Sequence, residues 1–333
     1  MSKDIDYYVA GVTEGDRLVL SRTITLIESG LAEHQKLGRQ VVDRLLDRTG
    51  NAVRLGITGV PGAGKSTFIE SLGLFLAQQG KRVAVLAVDP SSTRSGGSIL
   101  ADKTRMEKLS IHERAFIRPS PSGGTLGGVA RKTRETMLIC EAAGYDVIVV
   151  ETVGVGQSEI TVASMVDFFL VLMIAGAGDQ LQGIKKGVLE VADALAVNKA
   201  DGDNVQRAEM ARREYEAALH LLTPGTLTWS PPVLTCSALE MTGVDRVWET
   251  VLDHRRKMTD SGELADRRRD QALEWMMYLV KEGLERWFQR SPEVRDRLPR
   301  LREAVARGRT SPTVAADELL GFLETWGTGR EPG

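Results

Sequence analysis

Gly59-Val60-Pro61-Gly62-Ala63-Gly64-Lys65-Ser66-Thr67 is the stretch that decides the fold. It satisfies the pattern G-x-x-x-x-G-K-[ST], and both flanks fit. Val53-Arg54-Leu55-Gly56-Ile57-Thr58 reads as a strand entering the loop. Phe68, Ile69, Leu72, Leu76 and Ala77 then recur at helical spacing up to Gly80, a helix stop. Strand, glycine loop and helix in that order make a phosphate cradle. Gly59, Gly62, Ala63 and Gly64 let backbone N–H groups turn inward, and the helix N-terminus adds its positive end. Lys65 is expected to reach the β- and γ-phosphates, Ser66 to place its hydroxyl on Mg²⁺, and Thr67 to help hold the α-phosphate. The bland alternative is a glycine turn before a helix, and the two flanks argue against it.

Working outward, Asn198-Lys199-Ala200-Asp201 follows the apolar run Ala194–Val197. It sits at a strand's C-terminal end, where open α/β sheets bind ligands. Guanine offers an imino N–H and an amino group on one edge, and the Asp201 carboxylate can accept from both. Adenine presents an acceptor there. Such a site discriminates because the wrong base leaves buried polar groups unpaired. Asn198 is expected to pin the loop and approach the base, and the Lys199 stem to cover the base plane. Val233-Leu234-Thr235-Cys236 is another short strand. The small residues Ser237 and Ala238, followed by Leu239, allow the backbone to approach the guanine carbonyl. The nucleotides expected are therefore GTP and GDP, with Mg²⁺.

Two further strands end in acids. Asp146–Glu151 closes on Glu151 and continues as Thr152-Val153-Gly154-Val155-Gly156-Gln157; Arg82–Asp89 closes on Asp89 before Pro90-Ser91-Ser92. Phosphoryl transfer needs charge neutralisation and an ordered water. Glu151 and Asp89 are expected in the metal shell and, with Lys65, in catalysis. Asp102, in the adjoining polar loop, is a third metal candidate. Gly154 lets the backbone approach the γ-phosphate. Gln157 can position a water, but its surroundings in sequence do not single it out, and no catalytic base is identified.

These residues resemble the SIMIBI class of P-loop GTPases, and within it the MeaB/ArgK type. That type is the GTPase chaperone of adenosylcobalamin-dependent methylmalonyl-CoA mutase. The resemblance is carried by Gly59–Thr67, Val88–Ser92, Glu151–Glu159 and Asn198–Asp201. Arg118–Gly124 and Gly176–Gly187 add to it. Ordinary small GTPases end the Glu151 strand with Asp, so Glu is a departure from them. The resemblance implies low intrinsic GTP hydrolysis, a homodimer, and a role in gating cobalamin loading and protecting the mutase. It also implies that Gly176–Gly187 is a third switch, with Asp179, Gln180 and Lys185 reporting the nucleotide state to the partner. Read without the resemblance, this loop of four glycines, one Asp and two Lys has little packing of its own.

Composition sets the outer limits. The 333 residues carry a formal net charge of −2, which argues against a nucleic-acid platform. Cys140 and Cys236 sit far apart in apolar runs and read as buried hydrophobes. The four histidines are scattered, without metal-ligand spacing. The polar start Met1–Asp6 shows no signal-peptide core, and Val162–Ala177 is too short to span a bilayer. A cytoplasmic protein is expected.

The fold class expected is α/β: a P-loop NTPase with a mainly parallel sheet flanked by helices, plus helical extensions at both ends. Residues 1–51 form the N-terminal extension, 52–254 the GTPase domain and 255–333 a helical C-terminal arm. At least six strands are expected, near 53–58, 83–88, 146–151, 168–174, 193–198 and 233–236. In the arm, Trp275, Met276, Leu279, Val280, Leu284, Trp287 and Phe288 form a stripe. A second helix starts at Ser311-Pro312 and presents Leu319, Leu320, Phe322, Leu323 and Trp326. So short an arm buries little core alone, and its aromatics point to dimerisation. Two other functions fit a phosphate loop. One is a P-loop small-molecule kinase, which requires ATP preference and an acceptor pocket. The other is a GTP-regulated interaction module without turnover. Asn198–Asp201 speaks against the kinase; turnover with and without a partner separates the module.

Overall fold

The computed structural model describes residues 4–88, 106–119, 126–152, 158–176, 186–222 and 228–327. Their contacts divide the chain into two compact units, Met1–Arg268 and Arg269–Gly333.

The first unit is built on a seven-stranded sheet. Its strands are β1 (Val53–Gly59), β2 (Val83–Val88), β3 (Ala115–Arg118), β4 (Val147–Thr152), β5 (Phe168–Ile174), β6 (Ala194–Asn198) and β7 (Val233–Thr235). The order across the sheet is β3-β2-β4-β1-β5-β6-β7, and every pairing is parallel. β2 and β4 are buried along their whole length, as a sheet covered by helices on both faces requires. All six strands expected from the sequence are present. The seventh, β3, went unread: it has only four residues, at the sheet edge.

The topology fixes where a ligand binds. After β1 the chain passes over the position of β4 to reach β2; after β4 it crosses β1 to reach β5 on the other side. This reversal opens a crevice at the C-terminal ends of β1 and its neighbours. The phosphate loop lies there, between β1 and the helix Lys65–Gln78.

Three helices, Ile5–Thr13, Arg17–Glu28 and Ala32–Leu45, precede the sheet. Asp4 and Asp16 cap the first two through backbone N–H groups. Arg17 ties this group to the β3 edge, donating to the carbonyls of Glu113 at 3.0 Å and Ala115 at 2.8 Å. Arg118, the last residue of β3, is paired with Glu28.

At the N-terminal ends of the strands lies a cluster of buried charge. Arg268 donates to both carboxylate oxygens of Asp167, at 2.7 and 2.6 Å, and to the Ala52 carbonyl at 2.9 Å. Asp167 also accepts from the Arg54 N–H at 2.9 Å, while the Arg54 side chain pairs with Glu141 at 2.5 Å. Burial alone would raise the Asp167 pKa; the Arg268 guanidinium reverses this and holds it below the usual carboxylate value. The cluster pins the start of the helix Glu263–Arg290 to β1 and β5.

In the second unit the rest of that helix is followed by Pro292–Ala306 and Pro312–Gly327. The last begins where Ser311-Pro312 placed it, with Ser311 Oγ accepting from Val314 N at 3.2 Å. Val294, Leu301 and Ala315 are buried. On the long helix Met276, Val280, Leu284 and Trp287 are exposed, and Trp275 stacks on Tyr278 at 5.0 Å. The side chains of Phe322, Leu323 and Trp326 lie outside the described residues. Among the described residues no helix is long and apolar enough to cross a membrane.

Candidate nucleotide site

The loop after β1 is shaped by two close approaches that only glycine tolerates. A Cβ on Gly59 would lie 2.3 Å from the Leu172 carbonyl oxygen of β5. Gly64 has φ +83, and a Cβ there would meet Asn198 Nδ2 at 2.9 Å. Gly62, also at positive φ, and Ala63, fully buried, complete the turn. Lys65 Nζ donates to the Gly59 carbonyl at 2.9 Å, which holds the ammonium over the loop. Thr67 is exposed in the first turn of the helix.

The structure brings Ser66 and Glu151 together: Ser66 Oγ donates to Glu151 Oε1 at 3.4 Å. Glu151 is buried on β4, in register with Ile57 of β1 and Ala87 of β2, so its carboxylate stands beside the phosphate loop. The hydroxyls of Thr58 and Thr152 bond at 2.7 Å and tie the ends of β1 and β4 together beneath it. A hydroxyl and a carboxylate are hard oxygen donors, the type Mg²⁺ takes. Asp89, Asp102, Gly154, Gln157, Asp179, Gln180 and Lys185 lie outside the described residues.

The second half of the site is organised by Asn198, buried at the end of β6. Its Nδ2 donates to the Ala63 carbonyl at 2.7 Å, and its Oδ1 accepts from Ala238 N at 3.0 Å. One side chain thus joins the phosphate loop to the loop after β7. Burial pushes the Cys236 thiol up to about 12, so it is protonated and faces the same Oδ1 at 3.7 Å. Lys199 adopts φ +62, and its Cε comes within 3.9 Å of the position a Gly64 Cβ would take. The stem therefore lies along the loop. Asp201 is held by Ser237, whose Oγ donates to its Oδ2 at 2.5 Å. Ser71, on the phosphate-loop helix, donates to the Ala238 carbonyl at 2.6 Å. Leu239 is 80% exposed beside this loop.

Three of these contacts were not readable from the sequence. Ser237 was expected only as a small residue, whereas its hydroxyl also orients Asp201. Cys236 was expected only as a buried hydrophobe, and Ser71 carried no expectation. Each partner is dozens of positions away, so no local spacing announces it.

A parallel sheet with this loop at its switch point, joined through Asn198 to the loop after β7, defines a P-loop nucleotide-binding protein. Comparison with known proteins narrows the class. Residues 20–293 match the family described as Methylmalonyl Co-A mutase-associated GTPase MeaB. A putative GTPase of Caulobacter vibrioides is 57% identical, over 95% of this chain and 97% of its own. The mitochondrial methylmalonic aciduria type A homolog of Mus musculus is 44% identical, over 95% of this chain and 79% of its own. A crystal structure described as an LAO/AO transport system kinase superposes with TM-score 0.78 at 42% identity, covering 96% of this chain and 98% of the other. The chain belongs to the MeaB family of GTPases, and it binds guanine nucleotide.

Proposed function

We propose that this GTPase serves methylmalonyl-CoA mutase, gating the loading of its adenosylcobalamin and protecting the enzyme, with GTP hydrolysis timing the exchange. Lys65 and the loop N–H groups hold the β- and γ-phosphates, and Thr67 helps with the α-phosphate. Ser66 and Glu151 would hold Mg²⁺, with Asp89 and Asp102 as further carboxylate ligands. Asp201 accepts from the guanine edge, Lys199 covers the base, and Ser237 to Leu239 border it. When bound there, the metal would supply charge neutralisation for phosphoryl transfer, which is most of what this reaction asks of a protein. No side chain among those described is assigned as a base, in keeping with a low intrinsic rate. Gly154, Gln157, Asp179, Gln180 and Lys185 are assigned to signalling.

The observation that carries the nucleotide reading is the Asn198 bridge, which joins the phosphate loop to the loop facing Asp201. The mutase part rests on the description of the matched family. By role we divide the chain into a helical extension (1–51), a GTPase domain (52–254) and a dimerisation arm (255–333). The exposed apolar side chains of the helix Glu263–Arg290 support a homodimer.

The test is turnover. GTP hydrolysis is measured alone and with saturating methylmalonyl-CoA mutase, and the mutase is recovered from lysate on the immobilised chain in each nucleotide state. Stimulation with nucleotide-dependent recovery is expected. Unchanged turnover and no recovery in any state would reject the partner assignment while leaving the GTPase intact.

A further inference from the structure

We propose that Ser71 is a positioning residue for base selection: it aims the Ala238–Leu239 peptide so that the Leu239 N–H meets the carbonyl oxygen of a bound guanine. Ser71 lies inside the helix Lys65–Gln78, about two turns beyond the phosphate loop. Serine is a weaker helix former than alanine, and in mid-helix its hydroxyl ordinarily turns to solvent or back to the carbonyl four residues earlier. Here the side chain is buried, and its Oγ donates at 2.6 Å to the Ala238 carbonyl, 167 positions along the chain. The phosphate-loop helix thus grips the loop after β7 directly.

A peptide unit is planar and trans, so the Ala238 C=O and the Leu239 N–H point in opposite directions. Holding that carbonyl against the helix turns the N–H away from it. The neighbouring donors are already committed. Ser237 N donates to the Thr242 carbonyl at 2.8 Å, Ala238 N to Asn198 Oδ1 at 3.0 Å and Glu240 N to Ser237 Oγ at 3.1 Å. Among the described residues the Leu239 N–H has no acceptor, and the Leu239 side chain is exposed.

Along one edge guanine presents an amino group, an imino N–H and then a carbonyl oxygen. Asp201, held by the Ser237 hydroxyl, is assigned to the first two. The third needs a donor, and the uncommitted N–H two residues beyond Ser237 supplies it. Adenine carries an amino group in that place, which an N–H does not accept. Ser71 touches neither base nor phosphate and acts through the peptide it orients. The inference rests on the assignment of Asp201 and the loop after β7 to the guanine edge, and it is independent of the mutase.

The experiment measures the affinities of the full parent chain and of Ser71→Ala for GDP, 6-thio-GDP and IDP by calorimetry. Sulfur at position 6 is a poor acceptor, whereas IDP keeps the carbonyl and lacks only the amino group that Asp201 reads. Alanine keeps the helix intact. The parent is expected to prefer GDP to 6-thio-GDP about tenfold. In Ser71→Ala GDP and IDP should both weaken about fivefold, 6-thio-GDP should hardly change, and the GDP to 6-thio-GDP preference should fall to about twofold. The GDP to IDP preference should stay as in the parent. Unchanged GDP affinity in Ser71→Ala overturns the proposal, as does an equal weakening of all three nucleotides, which would mark Ser71 as merely structural. Both leave the guanine assignment standing. A parent that binds GDP and 6-thio-GDP equally well would overturn the reading of the carbonyl by this loop and the role of Ser71 with it.

Discussion

Asp201, proposed here to read the guanine edge, illustrates how far one residue's role depends on its neighbours. A lone carboxylate on a loop is free to rotate, and only one orientation presents both oxygens to the guanine edge. Ser237 restricts it by donating to Oδ2 at 2.5 Å, and the Glu240 N–H in turn donates to Ser237 Oγ at 3.1 Å. The chain of bonds fixes the plane of the carboxylate, and each oxygen keeps a lone pair for the base. Two substitutions separate the reading group from its support. Asp201→Asn replaces an acceptor by a donor facing the guanine N–H groups, and calorimetry should show GDP affinity falling about a hundredfold or more. Ser237→Ala removes one hydrogen bond to a charged group and should cost about tenfold. If Asp201→Asn bound GDP as tightly as the parent, the carboxylate would not be the group that reads the base.

At the scale of elements, the pieces that position the site were legible where the pattern was long or the residue types were constrained. β1, its loop and the following helix announced themselves because glycine, lysine and hydroxyl have separate duties at fixed spacing. β2, β4 and β5 were legible as apolar runs because a sheet buried on both faces selects them. β3 was not: Ala115–Arg118 is too short to show a period, and its strand identity comes from pairing with β2. His254 was equally opaque. In sequence it is one of four scattered histidines; in the fold it is 1% exposed on the helix Val244–Asp260, edge-on to Phe168 at 5.0 Å and Trp229 at 4.9 Å. Among the described residues neither ring nitrogen has a hydrogen-bond partner, and Asp193 lies 3.6 Å away, shared with Arg267. Burial lowers its pKa, outweighing the pull of Asp193. A folded pKa below the unfolded value of 6.5 means the unfolded chain takes up the proton first. Stability is thus complete above that value and drains away as pH falls toward the lower folded value. His254→Phe keeps the aromatic packing and removes the titration. Its melting temperature should fall less than the parent's between about pH 7 and pH 5, as calorimetric scans at each pH would show. Identical slopes would place the acid sensitivity elsewhere.

For the whole molecule, the question is what the last helices contribute to a pocket built entirely from residues before 240. Every described side chain of that pocket, from Gly59 to Leu239, belongs to the first compact unit. That unit nonetheless depends on the start of the helix Glu263–Arg290. Arg267 pairs with Asp193 and Arg268 with Asp167, and Asp167 is almost wholly buried. Removing one partner of a buried pair strands the other charge, at about 3–5 kcal/mol. A cut after Ser261 would therefore damage the sheet for reasons unrelated to association. A cut after Asp270 keeps both arginines and discards the apolar residues Met276, Val280, Leu284 and Trp287. Such a chain should be monomeric by light scattering while the full chain is dimeric, and its GDP affinity should stay within about threefold of the parent. The shorter chain ending at Ser261 should melt well below it. Dimers persisting in the chain cut after Asp270 would move the self-association surface onto the GTPase unit. Loss of GDP binding in that same chain would mean that the arm shapes the pocket and does not merely join two copies of it.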